Sequence, residues 1–162
     1  MKIKIYNTAK AIIYNGGDVL LIKKEYEDGY ILYTLPGGSQ EAGETLQETL
    51  LREMYEEAAV AVEIIELVKV YEYQQVSKSD PTLIKHKIEF AFHCQIEGSY
   101  APVKGPHPDP HQTDVVWMNK ESLSTINLYP NGLTNILLFD ALPGTVTYLG
   151  KINSKYFTSL RT

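Results

Sequence analysis

The stretch Gly38-Ser39-Gln40-Glu41-Ala42-Gly43-Glu44-Thr45-Leu46-Gln47-Glu48-Thr49-Leu50-Leu51-Arg52-Glu53-Met54-Tyr55-Glu56-Glu57-Ala58-Ala59-Val60 decides how this chain is read. Thr45 followed three residues later by Glu48 reads as a capping box, so a helix is expected to begin near Thr45. At about 100° per residue, Leu46, Leu50, Leu51, Met54 and Ala58 share one side, the expected core face. Glu53, Glu56 and Glu57 fall on a strip beside that face, because residues three and four apart are neighbours on a helix. Like charges at this spacing raise one another's pKa unless a cation neutralises them. A cluster of oxygens suits a hard cation such as Mg²⁺, which binds through one or two carboxylates, retained waters and substrate phosphates. The alternative reading is a solvated acidic face, since Glu is a good helix former.

The residues just before the helix favour the first reading. Leu35-Pro36-Gly37-Gly38 reads as a type II turn, with Pro at its second position and Gly at its third. A Gly-Gly pair also lets backbone carbonyls and amides reach an ion or a phosphate that side chains would block. Taken alone, the turn is also what a simple strand-to-loop junction would show.

These residues resemble the Nudix hydrolase signature: Gly, five residues, Glu, seven residues, Arg-Glu, an aliphatic residue, any residue, Glu-Glu, any residue, Gly, aliphatic. Gly38, Glu44, Arg52, Glu53, Met54, Glu56, Glu57 and Val60 stand in place. One position departs: Ala59 stands where the signature has Gly. That glycine suits a left-handed residue at the helix exit, and Ala in that conformation costs about 1 kcal/mol or more. The resemblance implies an α/β/α sandwich with a mixed β-sheet between helices. It also implies roles for residues. Glu56 and Glu57 would be metal ligands, and Glu53 a ligand or the base that activates water. The Gly37 carbonyl would complete the inner shell, with Gly38 beside it on the substrate side. Arg52 would hold one of the carboxylates. Glu44 would support the loop or a second metal.

Length and composition bound the rest. A chain of 162 residues suits one domain burying roughly 68–70% of its unfolded surface. One Nudix domain over residues 1–162 is therefore expected, with 144–162 as a flexible or dimer-forming tail. The net charge of −5 argues against indiscriminate binding of nucleic-acid polymers, which needs a basic surface. It leaves a small nucleotide open, because a bound metal inverts the local field. Cys94 is the only cysteine; it excludes an intrachain disulfide and a thiolate zinc cage and reads as a buried small hydrophobe. No apolar run approaches the ~20 residues of a membrane span, and the first residues lack a signal-peptide core. Cytoplasmic residence is the default expectation.

Along the chain, residues 3–14 read as a strand, and Asn15-Gly16-Gly17-Asp18 as a hairpin turn to a partner at 19–22. Residues 30–35 form a short strand into the glycine turn. Residues 62–75 are rich in β-branched and aromatic side chains and read as extended. Strands are also expected at 87–96 and 115–118, a helical turn at 120–126 and a helix at 131–140. Residues 97–114, with four prolines and two histidines, read as a long loop. The tail from Pro143 has weak strand character.

Three further residues are candidates for an extra ligand or base. Glu89 on the 87–96 strand could face the metal site, although a strand Glu often faces water. Asp109 and His111 lie in a region where the resemblance places an additional acid or base, with Asp114 nearby; the alternative is a rigid proline-rich surface loop. Of the twelve tyrosines, Tyr73, Tyr6, Tyr26, Tyr30 and Tyr33 could stack on a nucleobase, as could Phe92; ordinary packing is the alternative.

The expected reaction is Mg²⁺-dependent hydrolysis, with Mn²⁺ as a substitute, of the diphosphate in a nucleoside diphosphate joined to a group X, such as ADP-ribose or a nucleotide sugar. Two alternatives stand beside it: removal of oxidised nucleoside triphosphates, and a nucleotide-sensing module without catalysis. The family's ADP-ribose class carries a proline at a set distance past the signature; here the first proline beyond it is Pro81, further on, and Tyr73 is too close for the tyrosine of the dinucleoside polyphosphate class. The expected partner is a small nucleotide, with no membrane; relatives also form homodimers.

Overall fold

The computed structural model describes residues 1–138 and 144–154. Its elements run β1 (Lys2–Ile12), β2 (Tyr14–Asn15), β3 (Asp18–Glu25), β4 (Ile31–Thr34), β5 (Gly37–Ser39), α1 (Leu46–Ala58), β6 (Glu63–Val76), β7 (Leu83–Gln95), β8 (Gln112–Asn119), a 3₁₀ turn (Lys120–Thr125), α2 (Leu133–Leu138) and β9 (Thr147–Lys151). One sheet has the order β5-β1-β7-β6-β9. It is mixed: β1 runs parallel to β7 and β6 parallel to β9, while β5 and β6 are antiparallel to β1 and β7. In the second, β3 pairs antiparallel with β2, β4 and β8.

The alternation of β1 sets the layers. Successive strand residues point to opposite faces, and both faces of β1 are covered. Ala9, Ala11 and Ile13 pack with Leu50, Met54 and Ala58 of α1, joined by Phe92, Cys94, Leu20 and Ile22. Ile12 turns the other way, into a cluster with Tyr71, Tyr73, Leu21, Leu32 and, from α2, Leu133, Ile136 and Leu137. Helices thus flank a mixed sheet, as the resemblance implies. Leu50 and Met54 are fully buried, each contributing about 1.5–3 kcal/mol.

The expected helix start holds: Thr45 is the N-cap and its side chain accepts from the Glu48 amide at 3.1 Å. Several boundaries differ. The strand expected at 3–14 breaks at Ile13, whose carbonyl accepts from Leu20 as the chain turns into the hairpin. β7 starts at Leu83, four residues earlier than expected, because its first residues pair in register with Lys2–Ile5 of β1. β8 starts at Gln112, inside the expected loop, because Gln112 pairs with Lys24. The helix expected at 131–140 spans Leu133–Leu138, and residues 139 and 140 lie outside the described residues. In the tail, Thr147–Lys151 pairs with β6 of its own chain; the part from 155 onward lies outside the described residues.

Candidate active site

Two elements meet where the acidic strip faces the glycine pair; in place of the expected type II turn the chain bends at Pro36 and Gly37 enters a strand at φ +128°. Gly37 and Gly38 belong to β5, which pairs with β1 so that Gly37 lies opposite Lys10 and Gly38 opposite Ala9. Gly37 has φ +128°, and a Cβ there would stand 2.0 Å from the Ala9 carbonyl oxygen. No other residue type fits this close approach. A Cβ on Gly38 would lie 2.5 Å from the Glu53 carboxyl carbon, so its missing side chain is the space that Glu53 occupies.

The carboxylates are sorted by depth. Glu57 is 3% exposed and accepts from the Gly37 amide at 2.9 Å. Among the described residues it has no ion-pair partner. Burial pushes its carboxyl up to about 8; Asp109 and Glu53 push the same way, while Lys10 and Lys24 pull it down. Glu53 and Glu56 are half-buried and share one Arg52 nitrogen, Nη1, at 2.9 and 3.2 Å.

Arg52 ties the site to the loop before the helix. Its Nε and Nη2 donate to the two oxygens of Glu44 at 2.6 and 3.1 Å, and Nη2 also reaches the Ser39 carbonyl at 3.0 Å. Glu44 further accepts from the Glu41 amide and the Thr49 hydroxyl. Hydrogen bonding to Arg52, with these bonds beside it, holds the Glu44 carboxyl at about 2. Glu44 is thus the anchor of a loop-to-helix clamp. The sequence left open which carboxylate Arg52 holds; it hydrogen-bonds to three, Glu44, Glu53 and Glu56, and pairs with a fourth, Glu41, at 3.8 Å.

The donor set, three carboxylates and the Gly37 carbonyl, consists of oxygens only and fits a hard divalent cation. Among the described residues no three acidic or histidine side chains converge on one point. The protein's own cations take up the donors instead. Arg52 bridges Glu53 and Glu56, and Lys10 Nζ donates to the carbonyls of Gly37 and Leu35 at 3.2 and 3.3 Å.

The extra candidates divide. Glu89 does not join the acidic strip: it is buried and accepts from the Thr8 hydroxyl at 2.9 Å and the Tyr73 hydroxyl at 3.2 Å. It stands opposite Thr8 in β1, on the same face as Lys10, whereas Ala9 and Ala11 meet α1 from the other face. Asp109 pairs with Lys24 at 2.8 Å. Burial pushes its carboxyl up, but Lys24 and then Lys10 and Lys87 outweigh this and hold it below the ordinary range. The His111 ring centre lies 4.4 Å from that of Tyr26. Phe92 is unavailable for stacking on a base, being packed in the core under α1.

The loop of residues 97–111 has a role that its composition concealed. The amides of Gly105 and His107 donate to the carbonyls of Glu57 and Glu56 at 2.9 and 3.0 Å. Gln112 Nε2 adds a bond to the Glu57 carbonyl at 2.8 Å, and the Tyr100 hydroxyl donates to that of Ala58 at 2.6 Å. The end of a helix leaves carbonyls without partners; here this segment supplies them. Ala59 does adopt the left-handed conformation, at φ 50° and ψ 38°, and its amide donates to the Tyr55 carbonyl.

Comparisons with known proteins bear on the family and the fold. The sequence matches the NUDIX domain over residues 6–137. The chain belongs to the Nudix hydrolase family. A Caenorhabditis elegans protein carrying the nudix hydrolase name is 30% identical over 146 residues, which is 88% of this chain and 36% of that protein. The chain therefore spans about a third of that curated relative's length. Among solved structures, the mutator MutT protein of Bacillus halodurans superposes with a TM-score of 0.67 at 20% identity, covering 91% of this chain and 90% of the other. An ADP-ribose pyrophosphatase of Streptococcus suis gives a TM-score of 0.59 at 18% identity, covering 91% and 98%. At these identities the two structures speak for the Nudix fold alone.

Sequence reading missed the lysines. Lys10, Lys24 and Lys87 come from β1, β3 and β7, and with Lys78 they line one cavity of about 90 Å³ beside the glycine turn. The parallel register of β1 on β7 brings Lys10 and Lys87 to one face, and Lys24 reaches the cavity from β3 of the second sheet, although the alternation Lys85-Lys87-Glu89 was a signal that this face of β7 is polar.

Proposed function

We propose that this Nudix chain hydrolyses a diphosphate linkage in a nucleoside diphosphate joined to a group X, such as ADP-ribose or a nucleotide sugar. The observation that carries this reading is Glu57, 3% exposed and held on the Gly37 amide, with Glu53 and Glu56 presented beside it by Arg52. A buried carboxylate without a countercharge is costly, and a divalent cation removes that cost. Glu53, Glu56, Glu57 and the Gly37 carbonyl would hold Mg²⁺, or Mn²⁺ in its place. When bound, such an ion neutralises phosphoryl oxygens and lowers the pKa of coordinated water.

The chain's own residues would do the rest. Glu53 is the carboxylate assigned to take the proton of the attacking water, with Asp109 as the alternative base. Arg52 keeps Glu53 and Glu56 aimed through its anchor on Glu44. Lys10 and Lys24 attract the anionic substrate to the turn. Water adds across one P–O bond of the bridge, so that a nucleoside monophosphate and a phosphorylated X leave.

The test is incubation of the chain with Mg²⁺ and a panel of ADP-ribose, a nucleotide sugar and an oxidised dGTP. Release of AMP from ADP-ribose supports the reading. Pyrophosphate from the modified dGTP alone moves the assignment to removal of damaged triphosphates. No product from any of them, with nucleotide binding retained, points to a sensing module.

A further inference from the structure

The run Asp109-Pro110-His111-Gln112 has proline at its second position, and the Gln112 amide closes it on the Asp109 carbonyl at 2.9 Å, as in a four-residue turn. Gln112 is also the first residue of β8. There the strand slips by one: Asp114 lies opposite Lys23, but Gln112 and not Thr113 lies opposite Lys24. Such a bulge bends a strand and re-aims a side chain. The side chain of Gln112 meets the last turn of α1, where Nε2 donates to the Glu57 carbonyl at 2.8 Å.

One residue therefore joins two acids. Its backbone closes the turn of Asp109, and its side chain holds Glu57. The carboxylates of both acids are fixed as well. That of Glu57 accepts from the Gly37 amide at 2.9 Å, and that of Asp109 pairs at 2.8 Å with Lys24, the residue opposite Gln112.

Sealing the helix end does not by itself account for a glutamine here. The Glu57 carbonyl already accepts from the Gly105 amide at 2.9 Å. Gln112 is 4% exposed, and its Oε1 is buried with no hydrogen-bond partner among the described residues. Buried polar atoms are normally paired, and an orphan destabilises. A methionine of similar shape would fill the space without that orphan. It would lack only the direct tie between the turn and Glu57.

We infer that Gln112 is a positioning residue that holds the Glu57 and Asp109 carboxylates in one fixed relation. The inference rests on the hydrolase reading above and adds to it a residue that acts through others. In that reading Glu57 presents an oxygen to the cation and Asp109 is the alternative base for the attacking water. A shift between the two misplaces the ion against the nucleophile, and a displacement of about 1 Å is enough to lower a rate about a hundredfold.

The test compares the full wild-type chain with Gln112→Met and with Thr113→Ala, an exposed neighbour that serves as the control. Calorimetric Mg²⁺ uptake without nucleotide is expected to weaken about tenfold or more in Gln112→Met. Its kcat is expected to fall about ten- to a hundredfold, the range seen when a residue supporting a metal ligand is lost. KM should change little, since the loss lies in the transition state. The melting temperature of the metal-free chain should stay level or rise, because the orphan oxygen is gone and Gly105 still serves the Glu57 carbonyl. In an Asp109→Asn background Gln112→Met is expected to lower kcat by a smaller factor than in wild type, as coupled residues do.

Mg²⁺ uptake and kcat equal to wild type overturn the inference and leave the hydrolase reading standing. So does a lower melting temperature with both intact, which would make Gln112 a packing residue only. An equal loss of kcat with and without Asp109 overturns the joint role. If Gln112→Met does not fold, the same measurements are made on Gln112→Asn, which keeps the amide but falls one methylene short of Glu57. A chain that hydrolyses nothing yet loses Mg²⁺ uptake with Gln112→Met keeps the positioning role and refutes the hydrolase reading instead. A wild type that neither takes up Mg²⁺ nor hydrolyses any substrate removes both.

Discussion

The backbone amide of Gly37 donates to Glu57 Oε1 at 2.9 Å, joining the deepest carboxylate of the helix to the turn whose carbonyl faces Lys10. Glu57→Gln keeps the size and an acceptor for that amide but removes the charge. Turnover is expected to fall at least about a hundredfold, with the helical circular-dichroism signal unchanged and Mg²⁺ uptake in calorimetry lost. Near-normal turnover in this variant would remove Glu57 from the metal site.

The same carboxyl makes the metal-free protein sensitive to pH. Its folded pKa of about 8 lies above its ordinary value of 4.5, so between these two values the folded chain binds a proton that the unfolded chain has released. Stability is then fully present below about pH 4.5 and declines as pH rises through 8, by up to about 1.4 kcal/mol per unit. Burial sets this window first; Asp109 and Glu53 widen it, and Lys10 and Lys24 narrow it. Urea melts in EDTA at pH 5, 6.5 and 8 are expected to show the decline, and Glu57→Gln to flatten it. Mg²⁺ affinity is expected to rise over the same interval, since the proton must leave first.

Arg52→Lys tests the clamp. One guanidinium serves Glu44, Glu53, Glu56 and the Ser39 carbonyl, and an ammonium lacks the planar fork to reach them all. Stability is expected to drop by about 1–3 kcal/mol, and kcat to fall more than KM changes, because Glu53 and Glu56 lose their aim. Chemical denaturation and steady-state kinetics measure the two effects.

Ala59 offers a gain. It holds φ 50° at the helix exit, a conformation that costs a non-glycine residue about 1–2 kcal/mol. Ala59→Gly is expected to raise stability by about 0.5–1 kcal/mol, the relief being partly offset by the freer unfolded chain. Its side chain is exposed and touches none of the carboxylates, so kcat should not move. A lower melting temperature would show that the strain is absent.

What the sequence disclosed follows from how far apart the cooperating residues are. Glu53, Glu56 and Glu57 were legible because a helix brings residues three and four apart together, and Thr45 announced its start. The Gly-Gly turn was legible as a place of close approach, but the Ala9 carbonyl that enforces it comes from β1. Both readings of Glu89 stayed open because alternation tells that two faces exist and not which one meets α1. The lysines of the cavity stayed hidden, since their meeting depends on the parallel pairing of β1 with β7 and on how β3 of the second sheet packs beside it. The role of residues 100–112 was hidden by their own composition: prolines and histidines suggested a surface loop, and nothing local says that its amides are spent on another element.

Those amides bear on how this protein can be re-engineered. A Cβ at Gly105 would come within 2.3 Å of the Glu56 carbonyl oxygen, so even the smallest side chain there would push the segment off the helix it seals. Swapping this stretch for that of a relative, the usual route to a new specificity, would strip the last turn of α1 of its donors and let Glu56 and Glu57 wander. A transplant into this scaffold must therefore carry its own plug for the helix end, or the chemistry is lost before any new substrate is met.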